Sequence, residues 1–173
     1  MKLQLPLTPK TIKSLTAGDV VYLNGVIYTG RDAAHQRLIE AIKAGRNLPF
    51  DLQNNILYYV GPTPAKPGEI IGSAGPTTSS RMDAYSPTLL DLGLKGMIGK
   101  GPRSDEVIAS IIKNQAIYFA AVGGAAALQS LHITKSEIIA FEDLETEAIR
   151  RLEIQNFPVI VAIDANGKSL FSN

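Results

Sequence analysis

Residues 19–29 read DVVYLNGVIYT, and residues 30–49 directly after them read GRDAAHQRLIEAIKAGRNLP. The first stretch holds two β-branched or aromatic runs on either side of Asn24-Gly25, a pair that tolerates the positive φ of a type I′ turn, so it predicts a hairpin. In the second, Ala34, Leu38, Ala41 and Ile42 recur at helical spacing and Gly45 supplies a stop, which predicts an amphipathic helix. Strand followed at once by helix sets the class as α/β. It also puts Arg31 at a strand-to-helix junction, where loops present functional groups.

Working outward, short apolar runs at residues 56–60 and 69–71 stand among prolines and glycines and predict two short strands joined by a stiff turn. SPTLLDLGLKGMIGKGP predicts a short helix ending near Gly93, then a strand at Met97-Ile98 that runs into the Gly99-Lys100-Gly101 turn. SDEVIASIIKNQ predicts a helix with Ser104 as N-cap, acids in the first turn, and Val107, Ile108, Ile111 and Ile112 on one face. A strand, AIYFAAV, a helix, GGAAALQSLHI, and a late strand pair ending in VIVAID and an Asn166-Gly167 turn complete the chain. The alternation is irregular, so the expected architecture is a single mixed α/β domain with a layered sheet rather than a simple doubly wound one.

The chain has 173 residues, a length that one core can fill, and its 45% hydrophobic and 19% charged composition is that of an ordinary globular protein. Its formal net charge of +1 argues against a surface that neutralises many phosphates, so nucleic acid is not the expected partner. No apolar run is long enough to span a bilayer, and the N-terminus lacks the apolar segment of a signal peptide, which makes a cytoplasmic location the expectation. There are no cysteines, hence no disulfide, no thiolate nucleophile and no thiolate ligand for an iron-sulfur cluster. His35 and His132 lie far apart without metal-ligand spacing, so no zinc site is expected from this chain.

The stretch GPTTSSRMD, residues 75–83, places four hydroxyls in a row before Arg81. Read plainly, it is a turn that caps a helix, with Thr77 or Thr78 as the N-cap. Hydroxyls, free amides and a guanidinium at a helix start also make an anion site, and the two readings are compatible. Lys100 between two glycines lacks the spacing of a phosphate-binding P-loop; its plain reading is a solvated lysine in a surface turn. Arg31 at a helix start is mildly costly against the macrodipole, and a bound anion would offset that cost. Residues 121–128, AVGGAAAL, lack GxGxxG, and close helix packing is the simpler explanation. Both histidines read as packing or surface residues.

Taken in order, GRDAAHQRL, GPTTSSRMD, GKG, YFAAVGGAAALQS and FEDLETEAIRRLEIQNFPVIVAID resemble the β-subunit family of iron-sulfur hydro-lyases, the class I fumarate hydratases and L(+)-tartrate dehydratases. The resemblance covers about residues 17–167 and leaves 1–18 as an N-terminal extension before a domain of residues 19–173. It implies a swivelling β/β/α domain and a hetero-oligomer in which a partner α subunit carries three cysteines and a [4Fe-4S] cluster with one open iron. It also implies a small dicarboxylate substrate, gripped by Arg31 and Arg81 with Lys100 as a third cation. Thr77 would exchange the C3 proton of malate, Thr78, Ser79 and Ser80 would add hydrogen bonds, and Asp83 would orient Arg81 or cap the local helix. Reversible hydration of fumarate is the expected reaction. Tartrate dehydration, or non-enzymatic binding of a small anion by a regulatory domain, are the alternatives.

Overall fold

The computed structural model describes residues 1–121 and 129–171. Its strands are β1 (Lys2–Gln4), β2 (Val20–Thr29), β3 (Ile56–Tyr58), β4 (Gly96–Gly99), β5 (Ile117–Ala121), β6 (Ile133–Ala140) and β7 (Ile149–Ile163). Its α-helices are α1 (Pro9–Ser14), α2 (Asp32–Lys43), α3 (Ser86–Asp91) and α4 (Asp105–Asn114). Neighbours run β1-β2-β3-β4-β5-β7-β6, with β2 also paired to β7. The first five strands are mutually parallel, and β7 lies antiparallel to β2, β5 and β6. Because β7 bonds to β5 along its C-terminal part and to β2 over most of its length, the sheet closes on itself. The result is a mixed α/β domain of barrel-like form.

Closure separates two apolar clusters on opposite faces of the same strands. Inside lie Leu23, Ile27, Ile56, Tyr58, Ile98, Ile117, Phe119, Phe157 and Val161. Outside, Leu57, Tyr59, Met97 and Tyr118 meet Ala34 and Leu38 of α2, Leu89 and Leu90 of α3, and Val107 and Ile111 of α4. Strands packed on both faces carry unbroken apolar runs, which is why ILYYV shows no alternation. Alternate residues still serve alternate faces.

The expected hairpin at residues 19–29 is instead one continuous strand, β2, with a register shift between Leu23 and Gly25. Gly25 does take the positive φ, 134°, that the pair suggested, but in a bulge rather than a turn. A Cβ there would come within 2.9 Å of Leu5 Cβ, and Asn24 is held by Leu5 N on its carbonyl and Asn156 N on its side chain. Long-range partners on both sides thus hold the chain straight. The second short strand at residues 69–71 is also absent; that segment is turn and bend, and the loop is closed by mutual bonds between Thr63 and Ser73. The helices at 32–43 and 105–114 form as expected, α4 with Ser104 Oγ accepting from Val107 N. Gly45 follows α2 at φ 68°. The helix expected from residue 123 falls largely on residues 122–128, outside the described residues.

Residues 1–18, expected as an extension, contribute β1 to the sheet and Leu3, Leu5, Leu7, Ile12 and Leu15 to the interior cluster. A small cavity of about 100 Å³ between Pro9, Ile12, Lys13, Asn54, Lys95 and Gln115 puts α1 beside the residues from which β3, β4 and β5 begin. One end of the barrel is therefore covered by the N-terminal segment, and the opposite rim is left for loops. Truncating Leu7, which is 1% exposed, to Ala should cost about 2–5 kcal/mol. Urea unfolding of the purified chain measures it; a change near zero would mean that the segment packs only loosely.

Candidate functional site

The C-terminal ends of β2, β3 and β4 share that opposite rim, the place where parallel α/β sheets present their ligand-binding loops. Arg31 leaves β2 as the extended N-cap residue of α2, and Gly30 N is anchored on Tyr58 O of β3. The Arg31 side chain lies across Gly61, just beyond β3. A Cβ on Gly61 would stand 2.9 Å from Arg31 Cδ and 3.2 Å from Nη1, so glycine is what makes room for the guanidinium.

The stretch 75–83 crosses the same rim. Thr77 N donates to Tyr59 O, Ser79 N donates to Lys100 O, and Thr78 and Lys100 form an isolated parallel bridge. Ser79 is buried, with its Oγ 2.7 Å from Tyr118 Oη. A Cβ on Gly99 would fall 1.9 Å from that Oγ and 2.8 Å from Tyr59 Cδ2. The glycine before Lys100 thus admits the hydroxyl loop rather than freeing the lysine. Thr78 precedes a short 3-10 turn, Ser79–Met82, but makes no side-chain capping bond, so the expected capping role is not seen. Thr77 is half-buried, and Thr78, Ser80, Arg81 and Lys100 are exposed.

Arg81 comes from that turn and meets α2. Its Nε and Nη2 lie 2.9 and 2.8 Å from Asp32 Oδ2, while Arg31 Nε is 3.8 Å from Asp32 Oδ1. One carboxylate thus stands between the two arginines the sequence singled out. With Lys100 bridged to the same loop, Arg31, Thr77, Thr78, Arg81 and Lys100 all belong to one rim. None of five surface cavities of about 100 to 470 Å³ is lined by any of them. The rim is an open face.

Asp83 departs from expectation. Its Oδ1 accepts from Arg103 Nε at 2.7 Å and its Oδ2 from Ser104 N at 2.8 Å. It therefore anchors Arg103 and the start of α4, not Arg81 or its own turn. Arg103 escaped the reading of the sequence because an arginine just before an N-cap looks like a surface residue; its partner lies 20 positions away. Its side chain is 0% exposed. Nη2 donates to Ser86 Oγ at 2.8 Å and Tyr59 Oη at 3.2 Å, and the guanidinium carbon lies 5.3 and 4.8 Å from the Tyr59 and Tyr118 ring centres. Those two tyrosines hold Thr77 and Ser79, so Arg103 underlies the hydroxyl loop. Burial pushes the Tyr118 hydroxyl up to about 12, which keeps it a neutral phenol.

His35 is buried, one turn into α2, against Tyr59 and Tyr85. Its Nδ1 donates to Arg31 O at 2.8 Å, leaving Nε2 as the lone-pair nitrogen, buried without a hydrogen-bond partner among the described residues. Burial lowers its pKa from 6.5 to about 4. It is a neutral strut under Arg31, as its packing reading proposed. His132 places Nδ1 3.1 Å from Gln155 O and packs edge-on to Phe157.

Two guanidiniums and an ammonium-bearing residue among hydroxyls and amides, on the rim of a closed α/β barrel, define a domain suited to a small oxyanion. The family described as Fumarase C-terminus matches residues 1–173. The chain is 40% identical over 171 residues to a Methanocaldococcus jannaschii protein named "Putative L(+)-tartrate dehydratase subunit beta", a match covering 95% of this chain and 88% of that protein. It is 38% identical over 151 residues to the anaerobic class I fumarate hydratase of Escherichia coli K12, covering 86% of this chain and 28% of that protein. It is 35% identical over 172 residues to the mitochondrial fumarate hydratase 1 of Leishmania major, covering 94% and 31%. The chain thus spans less than a third of those two fumarate hydratases and most of the M. jannaschii protein. It belongs to the fumarase C-terminus family.

Arg103→Met should destabilise the chain by about 3 kcal/mol, because Asp83, whose side chain is only 14% exposed, is left without its cation. Asp83→Asn in the same chain should recover part of the loss, as denaturant unfolding of the single and double variants will show. The pH dependence of stability follows from His35. The unfolded state takes up its proton below pH 6.5 and the folded state only near 4, so stability is complete above 6.5 and falls by roughly 3 kcal/mol as pH drops to 4. Unfolding curves at stepped pH should show this fall and a flatter profile in His35→Gln.

Proposed function

We propose that this chain is the β subunit of an iron-sulfur-dependent hydro-lyase that reversibly hydrates fumarate to L-malate at a site shared with an α subunit. The observation that carries the reading is the meeting of Arg31 and Arg81 around one carboxylate, on the rim that also holds Thr77 and Lys100. Two guanidiniums that converge on one carboxylate of the chain have further N–H edges with the chemistry to take a dicarboxylate's end group. Planar forks fix both the charge and the orientation of the carbon skeleton.

In this reading Arg31 and Arg81 bind the substrate carboxylates, and Lys100 adds a third positive charge. Thr78 contributes a hydrogen bond. Thr77 exchanges the C3 proton. A threonine hydroxyl is a weak base at neutral pH, so it needs a group to take the proton onward. An acid from the partner chain would serve, while the arginines stabilise the aci-carboxylate that develops as the proton leaves.

The elimination of water also needs an electrophile for the C2 hydroxyl. The chain has no cysteine, and no cluster of His, Asp and Glu suited to a metal occurs among the described residues. This chain therefore does not fit the role of cluster carrier. A [4Fe-4S] cluster on the α subunit, when bound, would supply the Lewis acid. The domain would act as the swivelling unit that brings its open rim against that subunit. No described helix is long and apolar enough to cross a membrane, and a cytoplasmic hetero-oligomer is part of the proposal. A second reading, L(+)-tartrate dehydratase, is favoured by one specific finding: the relative matched over 88% of its length carries that name.

The test is anaerobic co-expression with a cysteine-bearing partner. The complex is expected to be brown and to turn over L-malate or L-tartrate, and the two rates compared side by side choose between the readings. Arg81→Ala should abolish turnover without preventing assembly, and Arg81→Lys should restore little of it because an ammonium cannot replace the fork. Full activity in Arg81→Ala would overturn the assignment.

A further inference from the structure

We propose that Asp32 is a positioning residue for Arg81, holding one edge of its guanidinium so that another edge is presented to the ligand; the inference rests on the reading of Arg81 as a carboxylate binder. Asp32 sits in the first turn of α2, where a carboxylate is favoured by the helix dipole. The loop residue Arg81 reaches it from 49 positions away. A single oxygen, Oδ2, takes both Nε and Nη2. That occupies the side edge of the planar fork and leaves its end edge, Nη1 with the second Nη2 hydrogen, for a second carboxylate.

The Arg81 side chain is 51% exposed and Asp32 engages only its side edge, whereas Asp32 Oδ1 is buried with no hydrogen-bond partner among the described residues. With Oδ1 buried beside Arg31 Nε and Oδ2 taken by Arg81, the carboxylate is committed to the arginines of the rim. It fixes its neighbour. Without it, a long arginine on an exposed turn would sample many rotamers, and substrate binding would have to order it.

A contrary role is open to the same geometry: Asp32 could compete with the substrate for Arg81. The two roles have opposite signs. If Asp32 positions Arg81, Asp32→Ala raises KM about tenfold or more, the scale of one charge-assisted hydrogen bond, with kcat changed far less and the complex melting as before. Asp32→Asn, which keeps an acceptor of the same shape, should fall between. If Asp32 competes, both variants lower KM, and the proposal is overturned. Unchanged KM with reduced kcat or reduced assembly marks a merely structural role and overturns it too.

The experiment measures kcat and KM of the assembled complex with L-malate and L-tartrate. In parallel, proton exchange of arginine Nε–H groups is followed by ¹⁵N NMR on the full chain, with Arg81→Lys identifying the Arg81 signal. Several-fold slower exchange of that Nε–H in wild type, lost in Asp32→Ala, is expected. Exchange as fast as in exposed arginines would overturn the pairing. A wild-type complex inert to both acids would defeat the proposed function, and the NMR arm would still decide whether Asp32 holds Arg81.

Discussion

The whole arrangement depends on β7. One 15-residue strand bonds to β6 along its first part, to β2 over most of its length, and to β5 along its last part. Without the β2–β7 pairing the parallel strands would form an open sheet with two exposed edges. With it, one face becomes an interior filled by Phe157, Tyr58 and their neighbours, and the helices have only the outer face to occupy. Closure thereby decides where function can sit. The ends where β3 to β5 begin are covered by the N-terminal segment, and the ends of β2, β3 and β4 are left to loops.

On that rim, spacing is set by backbone pairing rather than by the arginine, threonine and lysine side chains. Thr77 hangs on Tyr59, Ser79 on Lys100, and Gly30 on Tyr58. Glycines at 61 and 99 then bring the arginine and the hydroxyl loop into contact distance. Sites built on strand ends inherit the rigidity of the sheet, and the cost of that precision falls on residues that never meet a ligand. Arg103 is the clearest of them.

The two long helices were legible in the sequence because local periodicity carries them, as Leu38 and Ala41 in α2 and Val107 and Ile111 in α4 show, and the two-sided strands because their apolar runs are unbroken. The order of Arg31, Thr77, Arg81 and Lys100 was legible through family motifs. Other features depend on partners remote in sequence. Asn24-Gly25 suits a hairpin turn and a bulge equally well, and pairing with the N-terminal segment on one side and with β7, more than 120 residues on, on the other selects the bulge. Ile70 and Ile71 look like strand residues, yet Ile70 is 53% exposed and no strand among the described residues pairs with it. Asp83 was expected to orient Arg81 or cap its own turn, yet the fold pairs Asp83 with Arg103 and gives Arg81 to Asp32.

That last assignment bears on how such a rim divides structure from recognition. Both pairs join an arginine to an aspartate across the loop at residues 79–83, but their surroundings differ. Arg103 and Asp83 are 0% and 14% exposed, and the guanidinium is enclosed by two tyrosine rings, a serine and a carboxylate. With its side chain 0% exposed, it is out of reach of a ligand on the rim. Arg81 and Asp32 are 51% and 35% exposed, and the carboxylate meets one edge only. An ion pair that open contributes little to folding, since water screens it and the long side chain loses entropy. Its place on the rim serves orientation more than stability in the proposed reading of Arg81. Burial therefore separates the arginine that holds the loop from the arginine that the loop holds out.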